Sequence, residues 1–121
     1  MTYNHIQDNL LTVVETNAYL AAAKGIISEG ERAEIVDIIA REPTCGDVIR
    51  GGGGIRKIRF AIGKRGKNGG VRIIYYYHNK HMPAYLLTIF AKNERSNLTQ
   101  AEVGVMAKAV ERLHKNLGSR K

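Results

Sequence analysis

Residues 54–77 read GIRKIRFAIGKRGKNGGVRIIYYY, and this stretch decides the fold. Two apolar, β-branched runs, 55–62 and 71–77, flank the glycine-rich segment GKRGKNGG. Short apolar runs on either side of a turn-forming segment are typical of a β-hairpin. The same stretch holds seven Lys and Arg side chains and no acid, so the hairpin is expected to carry a strongly basic surface.

Two further strands are predicted outside this hairpin. A third β-rich run, Ala84 to Ala91, follows the loop HNKHMP and extends the hairpin into an antiparallel meander. Near the start of the chain, the run LLTVVE from Leu10 to Glu15 predicts a first strand.

Three helices are predicted by capping residues that precede apolar residues at helical spacing. They are the alanine-rich segment NAYLAAAKGI capped by Thr16 and Asn17, a segment from Ser28 to Pro43 with a capping box at Ser28 and Glu31, and a last segment with a capping box at Thr99 and Glu102 that ends at Gly118. The order β-α-α-β-β-β-α predicts an α+β domain, with a mainly antiparallel sheet packed by helices on one face.

Length and composition favour one domain. A chain of 121 residues with 44% hydrophobic side chains can bury roughly two-thirds of its unfolded surface. We therefore expect a single domain over residues 1–121, with 1–9 as a flexible N-terminal extension. A lone cysteine, Cys45, cannot form an internal disulfide, and no apolar run approaches the roughly 18 residues of a membrane span, so a cytoplasmic protein is expected.

The positive charge is confined to the middle of the chain. No Asp or Glu occurs between Val48 and Asn93, whereas this segment holds ten of the 19 basic residues. The remainder carries nine basic and eleven acidic side chains, so the formal charge of +8 arises entirely from the central segment. A concentrated basic field attracts polyanions, most commonly nucleic acid.

Other chemistry is disfavoured by the motifs. The run Gly51 to Gly54 has neither a Walker A sequence nor the dinucleotide-binding pattern, and it precedes a strand where both motifs precede a helix. Neither a metal nor another cofactor is expected, because the four histidines lack the spacing of a ligand set; they are His5, His78, His81 and His114.

Strand alternation places the basic side chains. Lys57 and Arg59 share one face of their strand, whereas Arg56 points to the other. Arginine can bind phosphate through its planar fork, and tyrosine can stack on an unpaired base, so the surface suits single-stranded RNA. At least one tyrosine of the run 75–77 is expected to be exposed, and Tyr76 is the candidate for base stacking.

Three motifs in order carry a family resemblance: GDVIRGGGGIRKIRF, GKNGGVRIIYYY and YLLTIFAKNE before a closing helix. From about Leu10 to that helix, the chain resembles the RelE/ParE superfamily of toxins, particularly the HigB-like branch. The resemblance implies a toxin of a type II toxin–antitoxin pair that cleaves mRNA on the ribosome. It also implies a cognate antitoxin, similar to helix-turn-helix DNA-binding proteins, through which alone the toxin would reach operator DNA.

The resemblance also implies roles for individual residues. Lys57 and Arg59 match the basic pair of the family, Arg72 matches its phosphate-contacting arginine, and Lys92 lies where further basic residues follow the last strand. Cleavage would proceed by attack of a ribose 2′-hydroxyl on the adjacent phosphate, which requires a group that removes the hydroxyl proton. A lysine held among other cations loses its own proton more readily and could take this role. Further contacts to the RNA backbone are expected from Arg56, Lys64, Arg65 and Lys67.

The sequence departs from the family pattern at one point. Asn93 stands where an arginine would be expected, and no tyrosine follows Tyr85. The resemblance therefore assigns no residue as the general acid, and Glu94 is only a candidate. Two alternative functions remain open: a ParE-like inhibitor of DNA gyrase, and a nucleic-acid-binding module without activity.

Overall fold

The computed structural model describes residues 10–62, 70–95 and 97–118, and the proposed N-terminal extension 1–9 lies outside them. In these residues, three helices and five strands form an α+β fold, which confirms the predicted fold class. In chain order they are β1 (Val13–Glu15), α1 (Asn17–Ala23), α2 (Glu29–Arg41), β2 (Asp47–Val48), β3 (Ile55–Phe60), β4 (Val71–Tyr76), β5 (Ala84–Ala91) and α3 (Gln100–Gly118).

Local chemistry sets the starts of the helices as expected. The Thr16 side chain accepts a hydrogen bond from the Tyr19 N–H and caps α1. Ser28 and Glu31 form the predicted capping box of α2, in which each side chain binds the other residue's N–H. Thr99 and Glu102 repeat the arrangement ahead of α3, so all three caps are confirmed.

The sheet has the order β1-β5-β4-β3-β2. Strands β3, β4 and β5 form the predicted antiparallel meander, whereas β1 pairs with β5 in parallel. The sheet differs from prediction in two respects: β1 begins at Val13 instead of Leu10, and an unpredicted strand, β2, pairs with the start of β3. A two-residue strand leaves no periodic pattern, so sequence analysis could not detect it.

Helices cover both faces of the sheet, which corrects the expectation that they pack on one face only. On one face, α1 and α2 pack against alternate residues of β4, with Ile35 and Ile39 buried beside Ile73 and Tyr75. We call this the α1–α2 face. On the opposite face, the α3 face, Val110 and its neighbours pack against the other set of β4 side chains.

Candidate functional site

Three cations from β3 and β4 lie together on the α3 face. Arg59 is directly opposite Arg72 in the antiparallel register, and Lys57 is opposite Ile74, two residues along. Residues directly opposite each other share a face, with Cβ atoms about 5 Å apart. Lys57, Arg59 and Arg72, which we call the cation triad, therefore project from the same side of the sheet. Strand alternation predicted the common face of Lys57 and Arg59, and the register adds Arg72.

Arg72 is the buried member of the triad. Its side chain is only 6% exposed, and Nη1 donates to the Val71 carbonyl at 3.4 Å. Burial lowers the pKa of Arg72, and the positive charge of Arg59 lowers it further. An arginine stays charged even so, and a charge in such a partly desolvated place interacts strongly with an anion that approaches it. Arg59 is exposed, so the pair faces an accessible surface.

Lys57 is held in place by the segment that connects β5 to α3. Its Nζ donates to Asn97 Oδ1 at 2.8 Å. Asn97 is a neutral acceptor, so this contact orients the ammonium without neutralising its charge. Asn97 in the connection between β5 and α3 therefore borders the triad at Lys57.

Sequence analysis missed Arg95 in the same connection. Its guanidinium lies 4.6 Å from the ring centroid of Phe90, and Phe90 is directly opposite Arg72 on β5. Nη1 also donates to both carboxylate oxygens of Glu102 at 2.8 Å, so the side chain is fixed from two sides. The motif AKNERSNLT contained the signal for this residue. An arginine was expected at position 93, and one occurs two residues later.

Lys92 lies at the same end of the sheet as Arg72. It follows β5 directly, its side chain is exposed, and its backbone N–H donates to the Gly70 carbonyl at 3.0 Å. Since Ala91 pairs with Val71, Lys92 is near the edge of the triad without being part of it.

Arg56 does not belong to this surface, which corrects its assignment as an RNA contact. It lies on the α1–α2 face, opposite Tyr75. Its Nη1 donates to the carbonyls of Gly46 and Thr44 at 2.9 and 3.3 Å. Tyr75 binds the same loop, because its hydroxyl donates to the Pro43 carbonyl and accepts from the Gly46 N–H. Arg56 therefore fastens a loop to the sheet.

The assignment of Tyr76 as a base-stacking residue is also corrected. Tyr76 is 2% exposed and packs with Ile55 and Val110 on the α3 face, so it does not present an exposed ring for base stacking. Tyr75 is fully buried and Tyr77 is half-buried. None of the three tyrosines is therefore exposed, contrary to the expectation that at least one would be. All six residues of β4 are buried, as in a central strand covered on both sides.

The remaining predicted contacts, Lys64, Arg65 and Lys67, lie outside the described residues. Within the ranges that the structure describes, no group of three His, Cys, Asp or Glu side chains is placed to hold a metal ion. No helix in these ranges is long and apolar enough to cross a membrane.

Comparison with known proteins identifies the family. Residues 40–119 match the model of the RelE toxin of the RelE/RelB toxin–antitoxin system, which is well over half of the chain. A mutant of the Escherichia coli toxin RelE in the free state is similar in structure, with a TM-score of 0.53 and 14% sequence identity over 85% of this chain and 97% of that chain. The chain belongs to the RelE toxin family of toxin–antitoxin systems, whose members inhibit translation by cleaving mRNA.

Proposed function

We propose that this toxin is a ribosome-dependent endoribonuclease in which the cation triad binds the scissile phosphate of mRNA. The observation that carries the proposal is the register of β3 and β4, which places Arg59 directly opposite Arg72, with Lys57 two residues away on the same face. A phosphodiester between these side chains would meet three positive charges from two rigid strands.

Arg59 and Arg72 suit the stabilisation of the transition state. Attack of the 2′-oxygen on phosphorus forms a phosphorane that carries more negative charge than the starting phosphodiester. Fixed cations stabilise that additional charge most when they are shielded from water, as Arg72 is. The approach of the phosphate also offsets the repulsion between Arg59 and Arg72, which adds to burial in lowering the pKa of Arg72.

Lys57 is the triad member suited to proton transfer. Arginine remains protonated in proteins, whereas a lysine amine can take up and release a proton. In the reaction the 2′-hydroxyl loses its proton, the 2′-oxygen forms a bond to phosphorus, the bond to the 5′-oxygen breaks, and that oxygen gains a proton. The products are a 2′,3′-cyclic phosphate and a 5′-hydroxyl. The contact with Asn97 keeps Lys57 directed over the reacting face.

Neighbouring cations would bind the flanking RNA. We assign Arg95 to this role because the Phe90 ring and the Glu102 carboxylate hold it beside the triad. Lys92 at the end of β5 is the next candidate. Lys64, Arg65 and Lys67, which lie between β3 and β4 in the sequence, remain sequence-based predictions.

The family implies an antitoxin partner, and the triad suggests how that partner acts. An antitoxin that neutralises the toxin would cover the α3 face with acidic and apolar groups. We propose a helix-turn-helix antitoxin of the kind found with HigB-like toxins, which would contact operator DNA itself. A toxin that acts on ribosomes would work in the cytoplasm.

Mapping of mRNA ends in translating extracts tests the proposal. We expect new 5′-hydroxyl ends on translated messages, and none on the same RNA when ribosomes are absent. Intact messages together with a loss of supercoiling by purified gyrase would instead support the ParE-like function. Binding to RNA without either effect would leave a non-catalytic module.

A further inference from the structure

A cavity of about 540 Å³ lies at the opposite end of β4 from Arg72, and the function proposed above does not use it. Its walls are the end of β4, the C-terminal half of α3 and the glycine turn before β3. We propose that this cavity binds one nucleotide of single-stranded RNA, as a subsite separate from the cation triad. Arg72 and Tyr76 are four residues apart on one strand, which is about 13 Å.

Two imidazoles supply ring surfaces for a base. The His78 and His114 ring centroids are 4.4 Å apart with an interplanar angle of 75°. His78 also lies nearly parallel to Tyr76, at 6.5 Å and 22°. Both histidines are exposed, whereas Tyr76 beneath them is buried. Aromatic side chains with an open face can stack on any nucleobase.

The His114 ring is held by a second contact. The Tyr76 hydroxyl lies 3.5 Å from His114 Nδ1. This contact joins the end of α3 to the sheet and limits rotation of the imidazole. A ring that is already fixed loses less conformational entropy when a base stacks on it.

The charged groups at the cavity match the other parts of a nucleotide. Lys115 follows His114 on α3 and can bind a phosphate. Glu111, one turn earlier on the same helix, can accept hydrogen bonds from the amino group of a base. Stacking surface, cation and acceptor therefore lie along one wall.

The opposite wall is bare backbone. Gly51 and Gly53 line the cavity with φ angles of +80° and +72°, where L side chains are strained. A Cβ at either position would meet nothing within 4 Å, so the missing side chains leave open space and not a packed contact. This open wall admits a ligand as large as a nucleotide, and the volume falls within the usual range for small-molecule sites.

The inference rests on the proposed function for its choice of RNA as ligand, but its test does not require cleavage. The probe is a 2′-O-methyl tetranucleotide, which cannot be cut by 2′-hydroxyl attack, together with an abasic oligomer that carries the same phosphates. Fluorescence anisotropy measures the affinity of the full chain, and NMR follows the histidine ring signals.

We expect the tetranucleotide to bind about five- to tenfold more tightly than the abasic oligomer, as stacking of one base predicts. His78→Ala and His114→Ala should each remove this difference. His81→Ala is the matched control, because His81 is an exposed histidine of the neighbouring turn that does not line the cavity, and it should have no effect. In the wild-type chain, the His78 and His114 signals should shift with the base-containing oligomer only.

Equal affinity for the two oligomers would overturn the proposal, since it would show binding through phosphates alone. Unchanged His78 and His114 signals during the wild-type titration would also overturn it, and this readout does not depend on whether a variant folds. A toxin that fails to cleave mRNA but shows the base-dependent shifts would refute the proposed function and leave this subsite standing.

Discussion

The two faces of the sheet are built from the same strands but differ in what they hold. Along β4, the α1–α2 face is an apolar core from Val71 through Ile73 to Tyr75. The α3 face is apolar at one end, around Ile74 and Tyr76, and cationic at the other, where Arg59 and Arg72 meet. One face stabilises the fold, and the other combines an anchor for a helix with a surface for an anion.

This difference explains how the protein tolerates a buried charge at Arg72. Removing an ion from water costs several kcal/mol in real proteins. Full burial of one Ile or Val side chain contributes about 1.5–3 kcal/mol, so a few core residues of the α1–α2 face offset that cost. The closed face can therefore keep the strands rigid while the other holds cations close together.

The largest expected effect comes from replacing an arginine of the α3 face by alanine, compared with the same replacement on the α1–α2 face. Arg72→Ala should reduce mRNA cleavage about 10²–10³-fold, because it removes a fixed charge at the phosphorane. Arg56→Ala is the matched control on the α1–α2 face. It should leave cleavage near the wild-type rate, while the loss of its bonds to Thr44 and Gly46 lowers the free energy of unfolding by about 1–3 kcal/mol. Equal loss of cleavage in both variants would contradict the division between the faces.

A smaller loss is expected from Lys57→Arg, which keeps the positive charge but removes a group that can release a proton. We expect cleavage to fall about 10²-fold, at the lower end of the effect of general acid–base catalysis. Arg59→Lys is the comparison, since Arg59 is assigned only an electrostatic role, and it should lose less. Single-turnover cleavage on ribosomes measures both. Full activity of Lys57→Arg would assign Lys57 an electrostatic role only.

Two buried tyrosines of the α1–α2 face test how much their hydroxyl groups contribute to stability. Tyr75→Phe should lower the free energy of unfolding by about 1–3 kcal/mol, because the Gly46 N–H and the Pro43 carbonyl lose their partner. Among the described residues, the Tyr19 hydroxyl is buried without a hydrogen-bond partner. Tyr19→Phe should therefore leave stability unchanged or raise it. Urea denaturation compares the two, and the opposite ranking would be inconsistent with these hydrogen bonds.

The smallest effect concerns pH on the α3 face. The Thr99 N–H, and then Arg95, lower the pKa of Glu102 from its ordinary value of 4.5. A carboxyl whose pKa is lower in the folded state adds stability above pH 4.5, and this stability is lost as the pH falls through the folded value. Glu102→Gln keeps the capping box but removes the charge. Its stability should match that of the wild type in acid and be lower at neutral pH; a difference independent of pH would exclude the ion pair as its cause.

Much of the fold could be predicted because its signals are local. The three helix caps each depend on residues three positions apart, and the meander follows from apolar runs between turns. The common face of Lys57 and Arg59 follows from strand alternation alone. The pairing of Arg59 with Arg72 needed the register across the β3–β4 turn, which the sequence does not state.

The wrong or missing site predictions concern side chains whose contacts come from residues distant in the sequence. Arg56 lies on the opposite face of β3 from Arg59, and the carbonyls that hold it belong to residues ten and twelve positions earlier, which strand alternation does not identify. Tyr76 was assigned to a surface because alternation identifies two faces but not which of them a helix covers. Arg95 became visible as a site residue only when its contacts with Phe90 and Glu102 placed it beside the triad.

A double-mutant cycle on Arg59 and Arg72 tests the central claim that the triad acts on one phosphate. Single-turnover cleavage of ribosome-bound mRNA would be measured for Arg59→Ala, Arg72→Ala and the combined variant. Groups that act as a unit are not additive, so we predict that the combined loss is far smaller than the product of the two single losses. A combined loss equal to that product would show that the two arginines act independently, and would contradict a shared phosphate.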